Sequence, residues 1–194
     1  VDEEKEMRAS LTDCEATKMK MANGGYNPAY NVQFATDTSS QVIVGVSVTN
    51  SGTDSAELNP MHKKVCESYN QTPQEWLADG GYVDHMGIEE MHARTPDSKL
   101  FMPPKNSDKP ESYIPRDTDG EGVKEWRINM GQIEAKEIYK ERASTSECVN
   151  AAARNRGLQQ FPVRGLDKVF SHTCLMVLTH NIVRAMSLMD IWSL

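Results

Sequence analysis

The chain has 194 residues, of which 38% are hydrophobic and 25% charged, and its formal net charge is −7. No run approaches the roughly 18 apolar residues of a transmembrane helix, and the acidic start lacks the apolar core of a signal peptide, so we expect no membrane association. Leucine, isoleucine, valine and phenylalanine total 36 residues, which predicts one globular domain with a thin core.

The charge is unevenly divided along the chain. Residues 148–194 sum to +3 and residues 1–147 to −10. This balance excludes a general nucleic-acid coat, but it allows a local phosphate-binding strip and carboxylates that hold cations. The alternative is that the acidic charge merely keeps the body soluble. Four well-separated cysteines without a CxxC pair predict reduced thiols in a cytoplasm, with two disulfides as the alternative.

The clearest structural pattern is a β-hairpin. Residues 1–22 are charged and predict a linker or the end of an inserted helical region, and NGGYNP at residues 23–28 predicts a turn. Apolar side chains then alternate with polar ones in YNVQFATD and again in QVIVGVSVT. Two alternating runs joined by a short polar turn are typical of antiparallel strands.

A helical period follows the hairpin. Its apolar residues are Leu58, Met61, Val65 and Tyr69. Asp54 and Glu57 have the spacing of a capping box, and Asn59 with Pro60 in the first turn is an alternative start. Further along, the pattern predicts a strand over 75–79, a helix over 84–94 and a strand over 99–102.

The remainder of the chain is predicted to be helical after a break. Residues 103–122 contain four prolines and many charges, which predicts an exposed loop. A long helix is expected over 123–155, with Ile128, Ile133, Ile138 and Tyr139 buried. The last helix, over 168–189, places Leu175, Leu178, Ile182, Ala185 and Met189 on one face.

This order of elements predicts a mixed α/β fold. Hairpin, helix, strand, helix, strand and further helices form the middle of an RNase H-like mixed sheet with flanking helices, without its usual first strand. We therefore expect residues 23–194 to form a partial domain of this kind.

Two carboxylates are candidates for metal binding and catalysis. Asp79 ends a predicted strand against Gly80 and Gly81, and sites in open α/β sheets lie at such strand ends. Glu147 lies on the long helix between Arg142 and Arg154. A carboxylate that binds a hard cation, flanked by arginines that bind phosphate, suits phosphodiester chemistry. A turn-capping aspartate and a surface helix with ordinary ion pairs are the structural alternatives.

The chain resembles the DDE transposases of bacterial insertion sequences. The matching stretches, in family order, are GGYNPAYNVQFATD, QVIVGVSVTNSGTDSAELNP, EWLADGGY, IYKERASTSECVNAAARNRGLQQFPVRGL and LTHNIVR. Together they run from about residue 10 to residue 186, nearly the whole chain. The family fold is RNase H-like, which agrees with the predicted element order.

The resemblance implies specific roles. Asp79 would be the second catalytic carboxylate and Glu147 the third, both as ligands of Mg²⁺ or Mn²⁺. Tyr139, Arg142 and Arg154 would contact DNA, with Arg154 in place of the family's lysine. The implied partners are the element ends and target DNA, and bringing two ends together suggests a homodimer, although no heptad or exposed apolar stripe marks an interface. The implied location is the bacterial cytoplasm.

The family's first catalytic aspartate has no clear equivalent. Asp2 and Asp13 lie in charged sequence, and Asp37 follows the first hairpin strand, where a turn residue is the better interpretation. We therefore expect the chain to be an incomplete fragment that does not transpose DNA alone.

Three alternatives stay open. The first is a non-catalytic DNA-binding or regulatory remnant of a transposase, and the second is a Mg²⁺-dependent nuclease of the same fold. The third is a zinc site built from His85, His92 and a cysteine, whose spacing fits no common pattern.

Overall fold

A computed structural model describes residues 10–21 and 23–189; Asp2 lies outside them. The strands are β1 Thr17–Lys20, β2 Tyr26–Ala29, β3 Asn31–Thr36, β4 Ile43–Thr49, β5 Glu75–Leu77 and β6 Lys99–Phe101. The helices are α1 Leu58–Tyr69, α2 His85–Arg94, α3 Glu121–Gly131, α4 Ile133–Asn155 and α5 Leu166–Leu188. This order confirms the mixed α/β class. None of the helices in the described residues is long and apolar enough to cross a membrane.

The strands form three separate pairs. β1 with β2 and β3 with β4 are antiparallel, and β5 with β6 is parallel. Across residues 10–21 and 23–189 the strands therefore do not join into the single mixed sheet that we expected. Strands β3 and β5 are not hydrogen-bonded to each other. Instead, both line a cavity of about 580 Å³.

Strand β1 corrects the expectation for the start of the chain. The charged composition of residues 1–22 predicts the end of a helix or a linker, and this prediction is wrong for Thr17–Lys20. These four residues pair with Tyr26–Ala29 across the turn that contains Gly24 and Gly25. Backbone pairing stabilises this strand even though most of its side chains are exposed.

The predicted hairpin is β3–β4. Val32 pairs with Val48 and Phe34 with Val46, and a bulge separates Ala35 from Thr36. The turn is held by Asp37, whose carboxylate accepts hydrogen bonds from the hydroxyls of Ser39 and Ser40 and from the Ser40 N–H. These bonds hold the pKa of Asp37 below its ordinary value. Asp37 is therefore a turn residue.

Helix α1 forms where its apolar period predicts, but its start differs. Leu58, Met61 and Val65 are buried. The capping box is not formed, because the Asp54 carboxylate accepts bonds from β3 and only its backbone carbonyl accepts the Glu57 N–H. The helix begins at Leu58, which places Pro60 in the first turn, where a missing N–H removes no helical bond.

The main core lies between α2, β6, α3 and the start of α4. Its large members include Ile88, Met91, Phe101, Met102, Val123, Trp126 and Met130. The Trp126 indole N–H donates to the Met102 carbonyl at 2.9 Å. Asp119, in the stretch predicted as an exposed loop, is buried and pairs with Arg127 of α3. This part of the loop is thus anchored to the core.

The long helix predicted over 123–155 is broken at Gln132. Its backbone is extended there, with φ −75° and ψ 150°, so α3 and α4 are separate helices. The break changes which side chains face the core. Ile128 and Ile133, predicted to be buried, are 53% and 74% exposed. Ile138 and Tyr139 do pack against the core, with partial burial.

Helix α5 packs through Val169, Thr173 and several polar groups rather than through its predicted apolar face. The Asn181 side chain accepts from the Ile43 N–H and donates to the Ile43 carbonyl of β4. His180 and Arg184 bond the carbonyls of Gln41 and Ser40 in the hairpin turn. The apolar side chains left exposed are Leu175, Leu178, Ile182 and Met189. The expectation that no exposed apolar stripe exists is therefore wrong.

Candidate functional site

Asp79 lies at the carboxyl end of β5. It precedes the 3₁₀ turn Gly80–Tyr82, and its Oδ1 accepts a hydrogen bond from the Gly81 N–H at 3.1 Å. A Cβ on Gly80 would lie 3.0 Å from the Pro103 carbonyl oxygen, so a side chain there would crowd the chain after β6. The tight turn leaves the Asp79 side chain 52% exposed, with Oδ2 directed towards α4.

Arg142 of α4 joins the two candidate carboxylates. Its Nη2 lies 2.9 Å from Asp79 Oδ2, and its Nη1 lies 3.7 Å from Glu147 Oε1. The Arg142 side chain is 22% exposed, whereas that of Glu147 is 65% exposed. The guanidinium thus offsets the repulsion between two carboxylates that come from distant parts of the sequence. We call Asp79, Arg142 and Glu147 the carboxylate–arginine cluster.

Tyr139 lies beside this cluster, one turn before Arg142 on α4. Burial raises the pKa of Tyr139; Arg142 opposes this effect, and the charges of Asp79 and Glu147 add to it. The Tyr139 hydroxyl is therefore a neutral hydrogen-bonding group at neutral pH.

Arg154 is not part of the cluster. It is exposed and lies seven residues beyond Glu147 on α4, about 10 Å further along the helix axis. The structure therefore brings together four of the five residues predicted from the sequence. A ligand that reached Arg154 as well would have to extend along α4.

A second polar network supports the Asp79 turn. Asp54 Oδ1 accepts from the Asn31 and Gln33 side-chain amides, each at 2.7 Å. Gln33 is 5% exposed, and its Oε1 accepts from the Tyr82 hydroxyl. Burial raises the pKa of Tyr82, with the charge of Asp54 adding to the shift, so Tyr82 stays a donor. The network links β3, the start of α1 and the turn that carries Asp79.

This network was not expected from the sequence. The available signal is that Asn31 and Gln33 are two residues apart on a strand, so both point to one face, and the next residue on that face is the buried Ala35. Buried amides require partners. Asp54 also lies close to the site, since a Cβ on Gly81 would be 3.8 Å from Asp79 Oδ1 and 3.9 Å from Asp54 Oδ2.

Replacing Asp54 with alanine tests this network. The change leaves the buried Gln33 amide without its acceptor, so we expect a loss of about 1–3 kcal/mol in the free energy of unfolding. Urea denaturation measures it, with Asp117→Ala, in an exposed loop position, as the control. Equal losses in the two variants would contradict a structural role for the network.

The cluster has the donor chemistry for a hard cation. Asp79 and Glu147 present carboxylate oxygens, the ligands that Mg²⁺ prefers, and both are exposed enough to leave room for the waters that Mg²⁺ retains. Within residues 10–21 and 23–189, no group of three or more His, Cys, Asp or Glu side chains is arranged to hold a metal ion. Asp79 and Glu147 are the carboxylates of the cluster that could hold a cation, and Arg142 contacts both of them.

The two histidines of the alternative zinc site make other contacts. The His85 ring packs edge-on against Trp126 and lies near Arg127, and His92 Nδ1 is 3.5 Å from Glu125. All four cysteines are free thiols. His85 and His92 thus serve the α2–α3 interface.

Carboxylates joined to an arginine at a strand end are a combination of groups that phosphoryl-transfer sites use. Residues 116–186 match the family described as "Transposase DDE domain", which supports the resemblance of the chain to the DDE transposases. The matched segment includes Tyr139, Arg142, Glu147 and Arg154, whereas Asp79 precedes it. No curated protein and no solved structure gave a significant match.

Proposed function

We propose that this chain supplies part of the catalytic site of an insertion-sequence transposase, which cleaves DNA at the element ends and joins it to a target in a bacterial cytoplasm. The observation that carries the proposal is the carboxylate–arginine cluster. Asp79 and Glu147 come from different elements, and Arg142 binds both. The family match over α4 supports the assignment of Glu147.

The proposed chemistry is attack on a phosphodiester by water and then by a 3′-hydroxyl. When bound, Mg²⁺ would activate the attacking oxygen and neutralise charge on the phosphate. Asp79 and Glu147 would hold the cation through their exposed oxygens. Arg142, no longer needed to balance both carboxylates, would then bind a non-bridging phosphate oxygen, as its planar guanidinium allows.

DNA would follow α4 in this proposal. Tyr139 would position the strand beside the cluster, and Arg154 would bind the backbone about 10 Å further on. A homodimer would bring two element ends together.

The fold proposed for the site is RNase H-like. Supporting features are the order β3, β4, α1, β5, α2, β6 and the parallel pairing of β5 with β6. With two carboxylates joined by Arg142, we propose that residues 1–194 alone do not transpose DNA.

A non-catalytic DNA-binding remnant is the second candidate. It is favoured by the absence of a three-ligand metal cluster from the described residues. The two candidates differ in how DNA affinity depends on the carboxylates.

DNA affinity in Mg²⁺ and in EDTA separates the candidates. For a labelled duplex in fluorescence anisotropy, we expect Arg142→Ala to weaken binding in both buffers, because a phosphate contact is lost. We expect Asp79→Asn and Glu147→Gln to remove the part of the affinity that depends on Mg²⁺. DNA binding that is unchanged by both carboxylate variants in both buffers would support the remnant and contradict the catalytic proposal.

A further inference from the structure

Helix α5 carries a line of exposed apolar side chains on one face. The helical period places this face opposite the buried Thr173 and His180, which pack against the rest of the protein. We call this line the α5 stripe; its members are Leu175, Leu178, Ile182, Ala185 and Met189, the last of which directly follows the helix. The four large side chains are each more than half exposed. The stripe therefore faces away from the body of the protein.

The α5 stripe has the spacing of a coiled-coil seam. Its successive members are three, four, three and four residues apart. This alternation is the a/d pattern of a heptad repeat, in which the side chains of one helix pack between those of a second helix. The stripe covers two heptads, about 20 Å of helix. Its pattern thus indicates another α-helix as the partner.

The solvent side of α5 carries no charge. Between Val169 and Met189 the only Lys, Arg, Asp or Glu is Arg184, which donates to the Ser40 carbonyl on the opposite side of the helix. A surface helix ordinarily presents charged and polar residues to water. Nucleic acid and membrane surfaces are both bound through Lys and Arg, which this face lacks. A protein partner is therefore indicated.

A second copy of the chain fits the α5 stripe. Since every position is apolar, two stripes that meet in either direction place apolar side chains against each other. The positions that flank the seam contain no Asp, Glu, Lys or Arg, so identical helices do not repel each other there. Contact between two identical surfaces closes about a two-fold axis, the commonest symmetry of oligomers.

The area of the stripe sets the expected affinity. Its exposed apolar surface is on the order of 500 Å², so two copies would bury about 1,000 Å² in total. This area lies at the lower end of specific interfaces. We therefore expect a dissociation constant in the micromolar range.

We infer that the α5 stripe is the interface of a homodimer, in which the α5 helices of two copies pack against each other. The inference rests on the homodimer of the proposed function and names its surface. It is tested without DNA or metal, so the dimer and the DNA chemistry can each fail while the other stands.

Sedimentation equilibrium of the full 194-residue chain tests the interface. From about 1 μM to about 300 μM, the mass should rise from that of the 21.7 kDa chain towards twice that value. We expect Leu178→Glu to weaken the dimer about a hundredfold or more, because both copies lose an apolar contact and gain a carboxylate. Ile133→Glu, the same kind of change at an exposed residue of α4, should leave the dimer unchanged.

Urea denaturation at two protein concentrations shows that Leu178→Glu acts on association and not on folding. The Leu178 side chain is exposed in the single chain, so its replacement removes little packing within one copy. We expect the midpoint of the wild type and of Ile133→Glu to rise with protein concentration, because dimerisation stabilises the folded state. The midpoint of Leu178→Glu should stay constant and equal that of the dilute wild type.

Two outcomes would overturn the inference. A wild-type chain that remains monomeric at the highest concentration would assign the stripe to a different partner. A dimer that Leu178→Glu and Ile133→Glu weaken equally, or that neither weakens, would place the interface elsewhere.

Discussion

Asp119→Ala is expected to destabilise the protein by about 3–5 kcal/mol, because it leaves the guanidinium of Arg127 buried without its counter-ion. Both side chains are 4% exposed, and Arg127 Nε lies 2.8 Å from Asp119 Oδ2. The same oxygen accepts the Arg116 N–H at 2.9 Å, so this carboxylate also closes the end of the loop before α3. Urea denaturation measures the loss, and Asp117→Ala, two residues away and exposed, is the control.

The Asp119 pair also predicts how stability depends on acid. Burial raises the pKa of Asp119, but the Arg116 N–H and the charge of Arg127 outweigh it and hold the pKa below the ordinary value of 3.8. Because the folded-state pKa is depressed, the stabilisation is present above pH 3.8 and is lost as the pH falls through the folded-state value. The measurement is the free energy of unfolding as a function of pH. A wild-type curve that runs parallel to that of Asp119→Ala through this pH range would contradict the contribution of the pair.

Residues 1–194 alone are expected to yield no strand transfer, with activity on the order of 10³-fold or more below that of a site with all its catalytic groups. The physical reason is that concerted sites lose most of their rate when one group is missing, and the cluster supplies two carboxylates. The measurement is joining of a labelled element-end duplex to plasmid DNA in Mg²⁺. The control is Asp79→Asn in the same assay, because any product that this variant still yields comes from a contaminating nuclease. Robust strand transfer by the unmodified chain would contradict the expectation.

Local sequence patterns predicted several of the strands and helices correctly. The alternation of Val32 and Phe34 with polar residues predicted β3, and Leu58, Met61 and Val65 predicted α1. The short strand β5 was recognisable because Gly80 and Gly81 end it. Helix α1 buries the apolar face that its period predicts, whereas in β3 the buried residues are Gln33 and Ala35 rather than Val32 and Phe34.

Other features depend on tertiary contacts, which the spacing of apolar residues along the chain does not reveal. Strand β1 has exposed side chains and exists through pairing with β2. The break at Gln132 has no proline to mark it, and it left Ile128 exposed. Helix α5 docks through Asn181, which bonds the backbone of Ile43 from 138 residues away. No local pattern encodes such a partner.

In the candidate site, too, the sequence predicted some features and missed others that depend on tertiary contacts. Residue chemistry and family resemblance predicted Asp79 and Glu147 as site residues, but the sequence pattern could not place Asp79 against Arg142 of α4. Asp54 was interpreted as a helix cap because Glu57 follows at the spacing of a capping box, whereas its carboxylate binds Gln33 of β3. Buried amides on a strand are the clue that would have identified it.

A Mn²⁺ titration followed by electron paramagnetic resonance tests the central claim most directly. If Asp79 and Glu147 share a cation, the wild-type chain binds Mn²⁺, and Asp79→Asn and Glu147→Gln each weaken binding by roughly tenfold or more, since each removes a charged ligand. Glu141→Gln, an exposed carboxylate on the same helix, should bind like the wild type. Equal Mn²⁺ affinity in the wild type and all three variants would contradict a metal site at the carboxylate–arginine cluster.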